Sequence, residues 1–167
     1  MPTDTLFLSR PMTIEPAWID WNGHLNMAYY NVLFDRSGDE FVAAAGLGPD
    51  YAATRRLSTM TAEVHVRYLR EIFLDTRPVV RWRILGLDAK RLHSFAELLH
   101  PDEGWVSATS EQMTLHVDLD ARRVTPWPAD VLAGLERLWA PSRDLAPPEG
   151  AGRAVAMARP ASPRAPT

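Results

Sequence analysis

The sequence predicts an α+β fold, in which one antiparallel sheet of about five strands carries a single long helix lying across it. Two observations lead to this prediction. A strand-like segment near the start is followed by one long amphipathic pattern and then by four strand-like segments in series. The chain has 167 residues, 46% of them hydrophobic, which is enough for one domain with its own core but not for two.

The first predicted element is an edge strand within "TLFLSRPMTIEP". Phe7 and Leu8 precede Pro11, and Met12 and Ile14 alternate after it. Because proline cannot donate a backbone hydrogen bond, it is confined to the edges and bulges of sheets.

The strongest helix signal follows the stretch "DWNGHLN". Apolar residues recur there at the three-four-seven spacing of one buried helix face: Tyr30, Leu33, Phe34, Phe41, Val42 and Ala45. Asn26 is a suitable N-cap, and Gly46 followed by Gly48-Pro49 is a stop signal. The pattern predicts a helix from about Met27 to Ala45.

Four strands are predicted in "STMTAEVHVRYL", "PVVRWRILGL", "RLHSFAELLH" and "GWVSATSEQMTLHVDL", with turn-like residues between them. The first of them alternates, with one predicted side formed by Met60, Ala62, Val64, Val66 and Tyr68. A short helix is expected from about Ala129 to Trp139. Residues 1–140 are predicted to form the domain.

Residues 141–167 are predicted to be a disordered tail. Six of the 14 prolines of the chain lie in this segment, and it has no apolar periodicity with which to build a core.

Composition excludes several functional classes. The net charge of −3 gives no positive field for nucleic acid or an acidic membrane, and the absence of cysteine excludes disulfides and thiolate chemistry. The sequence shows neither a signal peptide nor a membrane span, so we expect a cytoplasmic protein. It also lacks GxSxG, Walker and GxGxxG motifs. The "HVDLD" stretch lacks a metal-ligand spacing and is interpreted as a strand end, so neither metal nor cofactor is expected.

Candidate catalytic residues lie directly before the long helix. Asp20, Asn22, His24 and Asn26 alternate there, with Gly23 allowing a tight turn. A helix start presents unpaired N–H groups that suit a carbonyl oxygen becoming an oxyanion, and a nearby carboxylate can activate water or attack the carbonyl carbon. These are the groups that acyl transfer to water requires.

"DWNGHLNMAYY", followed by a helix and then "HVRYLRE", resembles the hotdog-fold thioesterases of the 4-hydroxybenzoyl-CoA thioesterase branch, over about residues 5–125. The resemblance implies a hotdog fold and a homodimer or tetramer whose site forms between two subunits. Asp20 and Gly23 match the Asp-x-x-Gly pattern of the bacterial aryl-CoA enzymes, whose acid is a nucleophile or general base. Met27 matches the position whose N–H polarises the thioester carbonyl.

The same stretch is also similar to plant acyl-carrier-protein thioesterases with Asp-x-Asn-x-His-Val-Asn, which implies catalytic roles for Asn22 and His24 beside Asp20. Several bacterial relatives have histidine where this chain has Met27, and that role cannot be transferred. The structural alternatives are that Asn26 is only a helix cap and that His24 only stabilises the loop. Expected substrate contacts are Trp21, Gly23, Asn26, Met27 and Tyr30. Glu63 is a weaker candidate for a second acid, and its place on the polar side of an alternating strand favours a solvent-facing residue instead. Arg67, Arg70 and Arg91 are weaker candidates for phosphate contacts.

"PAWIDWNGHLNMAYY" and "KRLHSFAEL" are similar to thioesterases associated with carnitine dehydrogenases, which are thought to cleave betainyl-CoA. This resemblance implies an acyl-CoA substrate, with a small or polar acyl group, in carnitine metabolism. An aromatic cage of Trp21, Tyr29 and Tyr30 would hold a quaternary ammonium group through cation–π attraction. The alternatives are a hotdog enoyl-CoA hydratase, whose histidine comes one position later, and a non-catalytic acyl-CoA-binding protein. The sequence leaves open whether CoA or acyl-carrier protein is the carrier.

Overall fold

The computed structural model describes residues 5–157. The helices are α1 (Met27–Ala43), α2 (Pro49–Arg55) and α3 (Ala129–Trp139), and short 3-10 turns cover Pro16–Trp18 and Ala140–Ser142. The strands are β1 (Phe7–Leu8), β2 (Leu57–Tyr68), β3 (Val79–Leu87), β4 (Arg91–Leu99), β5 (Val106–Asp118) and β6 (Arg123–Val124). Within this part of the chain, no helix combines the length and the apolar composition needed to cross a bilayer.

All the strands pair antiparallel in one sheet of order β1-β3-β4-β5-β2, with β6 added to β5. The first strand is shorter than expected and lies at the sheet edge. Beyond Leu8 the chain still follows β3, since the Ser9 N–H donates to the Val80 carbonyl and the Met12 N–H to the Pro78 carbonyl, both at 2.9 Å. The other edge strand is β2.

Helix α1 packs its apolar face on the sheet, as the spacing predicted. Phe41 stacks on Trp82 at 5.3 Å between ring centroids, and the Trp82 indole N–H donates to the Ser37 hydroxyl at 3.0 Å. Ser37 is fully buried in the middle of this face. The spacing of apolar residues did not predict its burial, because serine is polar. The helix ends at Ala43 rather than Ala45, because Gly46 turns the chain with a φ of +91°.

Strand β2 contains a bulge that the alternation did not predict. The register with β5 shifts between Thr61 and Glu63, which places an extra residue, Ala62, in β2. Thr61 therefore shares the helix-facing side with Val64. Met60 points to the opposite side, so the predicted single face from Met60 to Tyr68 is wrong before the bulge.

Helix α2 was not predicted, because Gly48-Pro49 was interpreted only as a stop for the preceding helix. Pro49 is instead the first residue of α2, a position where its fixed φ fits and its missing N–H costs nothing. Arg56, with a left-handed φ of 55°, ends the helix.

Residues 140–152, here called the C-terminal segment, lie across the sheet face opposite α1. The Ser142 hydroxyl donates to the Ile84 carbonyl at 2.9 Å, and the Gly152 N–H donates to Glu111 Oε2 at 2.7 Å. Arg83 donates to the Ala146 carbonyl at 3.2 Å. The prediction of disorder from residue 141 is therefore wrong for the C-terminal segment. The last part of the predicted tail, residues 158–167, lies outside the described residues.

Candidate active site

A tight loop before α1 sets the position of Asp20. The Asn26 N–H donates to the Trp18 carbonyl at 2.9 Å, and the Asp20 N–H donates to the His24 carbonyl at 3.0 Å, so the two arms of the loop are bonded together. Gly23 turns the chain with a φ of +83°, a conformation that costs glycine little. The loop brings Asp20 beside the first turn of α1.

The Asp20 carboxylate is half-buried and oriented by its own loop. Its Oδ1 accepts the Asn22 N–H at 2.8 Å, which is the bond of an Asx turn. This bond restricts rotation of the side chain and uses only one of the two carboxylate oxygens. The other oxygen can face a ligand.

The start of α1 leaves one backbone donor available next to this carboxylate. Asn26 caps the helix: its Oδ1 accepts the Ala28 N–H and its carbonyl accepts the Tyr29 N–H, both at 3.0 Å. Among residues 5–157, the Met27 N–H has no protein acceptor. The Tyr68 hydroxyl donates to the Met27 carbonyl at 3.1 Å and ties β2 to the first turn of the helix.

A cleft of about 480 Å³ opens over these groups. It is lined by predicted site residues Asp20, Trp21, His24, Asn26, Met27 and Tyr30, and also by Leu25, Tyr68, Leu69, Arg70 and Glu71. Asn22 and Gly23 do not line it; they contribute to the loop through their backbone. Of the stretch from Tyr68 to Glu71, the sequence indicated only Arg70, as a phosphate contact; the other three residues lie too far from the loop in the chain to be linked to it by sequence.

His24 presents one ring nitrogen to the loop backbone. Its Nδ1 lies 3.4 Å from the Leu25 carbonyl, a long hydrogen bond. Because a carbonyl only accepts, this contact favours the tautomer with the proton on Nδ1. The lone pair on Nε2 then remains available.

Tyr30 forms the floor of the cleft and is 4% exposed. Burial raises the pKa of its hydroxyl, and the negative charges of Glu71 and Asp20 raise that pKa further, against hydrogen bonds with Ser107 and Ile72 that lower it. The phenol therefore stays neutral and can act as a donor. Its ring meets that of Tyr68 edge to face at 5.1 Å.

The aromatic residues that line the cleft differ from those of the predicted cage. Tyr29 stacks on Trp18 at 5.3 Å between centroids, with the Arg36 guanidinium 5.0 Å from the Trp18 ring centroid, and Tyr29 does not line the cleft. Tyr68 lines it instead. Trp21 is 91% exposed at the cleft edge.

The arginines proposed as phosphate contacts have other neighbours. The Arg70 guanidinium lies 3.9 Å from the Trp105 ring centroid, and Arg91 pairs with Asp88 at 2.7 Å. Arg67 donates to the Glu149 carbonyl at 3.3 Å. Of these three arginines, only Arg70 lines the cleft.

Two further candidates lie away from Asp20. Glu63 is exposed and lines a separate pocket with His65, His93 and Glu111 on the sheet face opposite α1, so its interpretation as a solvent-facing residue is confirmed. His116, from the "HVDLD" stretch, is fully buried; its Nε2 lies 2.7 Å from the Tyr51 hydroxyl. These contacts belong to the core.

A larger groove of about 580 Å³ runs between α1 and β2. It contains Asp35 and Asp39 but not Asp20. Burial is the main cause that raises the pKa of Asp39, and the negative charge of Asp35 raises it further. Size alone would favour this groove as the site. The smaller cleft has the free helix N–H and the oriented carboxylate, so it is the better candidate for chemistry.

An antiparallel sheet around one long helix, with an acid held at the start of that helix, defines the hotdog-fold class of thioester hydrolases. The chain belongs to the thioesterase-like superfamily, whose family model matches residues 14–135. It is an enzyme that hydrolyses thioesters.

Relatives of known name support this assignment. The chain is 40% identical to betainyl-CoA thioesterase of Pseudomonas aeruginosa over 144 residues, which cover 86% of this chain and 91% of that protein. It is 34% identical to a Rhizobium meliloti protein named L-carnitine dehydrogenase/betainyl-CoA thioesterase, covering 95% of this chain and 33% of the longer protein. The similarity thus extends over one third of that bifunctional chain.

Solved structures confirm the hotdog fold that the sequence resemblance implied. A Staphylococcus aureus protein in complex with CoA superposes with a TM-score of 0.85 at 27% identity, covering 92% of this chain and 96% of that one. A Pseudomonas putida protein described as a thioesterase gives a TM-score of 0.78 at 31% identity, covering 93% and 99%.

Proposed function

We propose that this protein hydrolyses the thioester of betainyl-CoA to betaine and free CoA, with Asp20 starting the reaction. The observation that carries the proposal is that the Asp20 carboxylate and the unpaired Met27 N–H share one cleft. The identity to the Pseudomonas aeruginosa betainyl-CoA thioesterase, which extends over nearly all of that protein, supports the choice of acyl group.

The proposed chemistry uses the two groups in sequence. The thioester carbonyl accepts a hydrogen bond from the Met27 N–H, and the positive end of the α1 dipole stabilises the oxyanion that forms. Asp20 either removes a proton from the attacking water or attacks the carbonyl carbon itself. In the first route, the carbon–sulfur bond of the tetrahedral intermediate breaks, the CoA thiolate takes up a proton, and the oxygen of water becomes part of the new carboxylate. In the second route, the same bond breaks to leave a mixed anhydride between the acyl group and Asp20, and water then hydrolyses this anhydride to free the acid and the Asp20 carboxylate.

The neighbouring residues have supporting roles in this proposal. His24, with Nε2 free, transfers or shares a proton at the cleft. Asn26 caps the helix and thereby directs the Met27 N–H. Asn22 and Gly23 hold the Asp20 carboxylate through the loop backbone. No cofactor is needed for this reaction, and CoA esters suit a cytoplasmic location.

We further propose that the enzyme acts as a homodimer, with dimers able to pair into tetramers. Strand β2 is an edge strand of 12 residues, long enough to pair with a second copy. Its exposed apolar side chains include Met60, Val64 and Tyr68. Tyr68 lines the cleft as well, which puts the site next to this edge.

Free-thiol release across a panel of acyl-CoA esters tests the proposed substrate. The panel contains betainyl-CoA, its neutral isostere 3,3-dimethylbutanoyl-CoA, acetyl-CoA and crotonyl-CoA. We expect betainyl-CoA to have the highest kcat/KM. Equal or faster hydrolysis of the neutral isostere would contradict the proposal. Hydration of crotonyl-CoA without thiol release would favour the hydratase, and binding of all four esters without turnover would favour a binding protein.

A further inference from the structure

We propose that Glu71 is the residue that selects a positively charged acyl group in this cleft. This inference rests on the proposed function and adds the side chain that distinguishes a cationic substrate from a neutral one of the same shape.

The cleft is lined by more negative than positive side chains. Asp20, Glu71 and Arg70 contribute charged side chains, and His24 contributes an imidazole. The Arg70 guanidinium lies over the ring of Trp105. Within residues 5–157, no cationic side chain forms an ion pair with Glu71. Arg70 keeps its positive charge over that ring, but two carboxylates against one guanidinium leave the cleft lining with a formal charge of −1 when His24 is counted as neutral.

A quaternary ammonium group needs this kind of environment. It carries a full positive charge but has no N–H to donate, so it is recognised by negative charge and by aromatic faces. The cleft offers the rings of Tyr30, Tyr68 and Trp21 beside its carboxylates. Asp20 is committed to the reacting carbon, which leaves Glu71 as the counter-charge.

The backbone around Glu71 is fixed on both sides. The Ser107 hydroxyl donates to the Arg70 carbonyl at 2.6 Å, and the Leu25 N–H donates to the Ile72 carbonyl at 2.9 Å. Ile72 is fully buried. Glu71 thus projects from a segment bonded both to β5 and to the loop of Asp20.

Both acids of the cleft act on the hydroxyl of Tyr30. The charges of Glu71 and Asp20 both raise the pKa of the same buried hydroxyl. Both carboxylates also line the cleft, so the two acids and this hydroxyl belong to one site.

The test compares wild type with Glu71→Gln on betainyl-CoA and on 3,3-dimethylbutanoyl-CoA, which replaces the ammonium nitrogen by carbon. We expect Glu71→Gln to lower kcat/KM for betainyl-CoA about tenfold, mainly through KM, because one partly solvated charge pair is lost. Hydrolysis of the neutral ester should change less than twofold. Glu71→Asp should keep part of the preference, and Glu63→Gln, on the opposite sheet face, should keep all of it.

The outcomes separate this inference from the proposed function. If wild type prefers betainyl-CoA and Glu71→Gln keeps that preference, the role of Glu71 is contradicted while the proposed function stands. If wild type hydrolyses thioesters without preferring the cation, the proposed substrate and the role of Glu71 are both contradicted. An equal loss on both esters would make Glu71 a structural residue and also overturn the inference.

Discussion

The four polar residues before α1 have four different contacts. Asp20 presents a carboxylate to the cleft, while Asn22 supplies the backbone N–H that orients it. His24 keeps one nitrogen on the loop backbone and Asn26 caps the helix. The arms of this loop are bonded together, and three of the four residues, Asp20, His24 and Asn26, line the cleft.

Sequence reasoning located this loop because all of its residues are adjacent in the chain. It could not locate Tyr68 and Glu71 as cleft residues, since they arrive from the end of β2 through tertiary contacts. Tyr68 is brought there by its hydrogen bond to the Met27 carbonyl. The predicted Tyr29 failed as a cage residue because it stacks on Trp18 instead.

The substitution Gly23→Ala tests whether the turn at Gly23 positions Asp20. The new methyl group would meet open space, so the cost comes from the φ of +83° alone. We expect a loss of about 1–2 kcal/mol in the free energy of unfolding, measured with urea, and a lower kcat as Asp20 shifts. Gly86→Ala is the control, because the φ of Gly86 lies outside the left-handed region and a new Cβ would meet only the His93 Cβ, at an ordinary 3.7 Å. A stable, fully active Gly23→Ala variant would show that the turn does not position Asp20.

At the scale of elements, helix α1 serves both the core and the site. Its apolar face packs on the sheet and its start supplies the free N–H. The spacing of apolar residues predicted this helix well because burial imposes it. The bulge at Ala62 and the start of α2 at Pro49 were missed because each depends on local backbone geometry that the hydrophobic pattern does not encode.

Substitutions at Asn26 measure how much the cap of α1 contributes to stability. Asn26→Ala removes the acceptor for the Ala28 N–H, and we expect a loss of about 1 kcal/mol in the free energy of unfolding. Asn26→Asp restores a capping oxygen and should recover the stability. If both variants unfold at the same urea concentration as wild type, the cap contributes nothing.

At the scale of the whole molecule, the two sides of the sheet have different cover. Helix α1 covers one face, and the C-terminal segment crosses the other through bonds to β3 and β5. The high proline content and the lack of apolar periodicity in this segment both favour disorder. Neither property shows whether the backbone groups of the segment form hydrogen bonds with a neighbouring sheet.

The open edge of β2 leads to a prediction about assembly. The double substitution Met60→Lys with Val64→Lys should convert the dimer to a monomer in light scattering, because like charges oppose edge pairing. Activity should fall with dimer content if the site lies between subunits. Val124→Lys, on the short strand β6, is the matched control and should stay dimeric. A monomeric wild type would contradict this assembly.

The most direct test of the central claim is the turnover number of Asp20→Asn with betainyl-CoA, followed by thiol release and accompanied by a binding measurement. We expect a loss of about 10²–10⁴-fold in kcat with Kd within a few-fold of wild type, because the amide keeps the shape of the side chain but cannot act as base or nucleophile. Asp75→Asn, an exposed substitution outside the cleft, should be fully active. Full turnover by Asp20→Asn would contradict the account and assign the chemistry to another group.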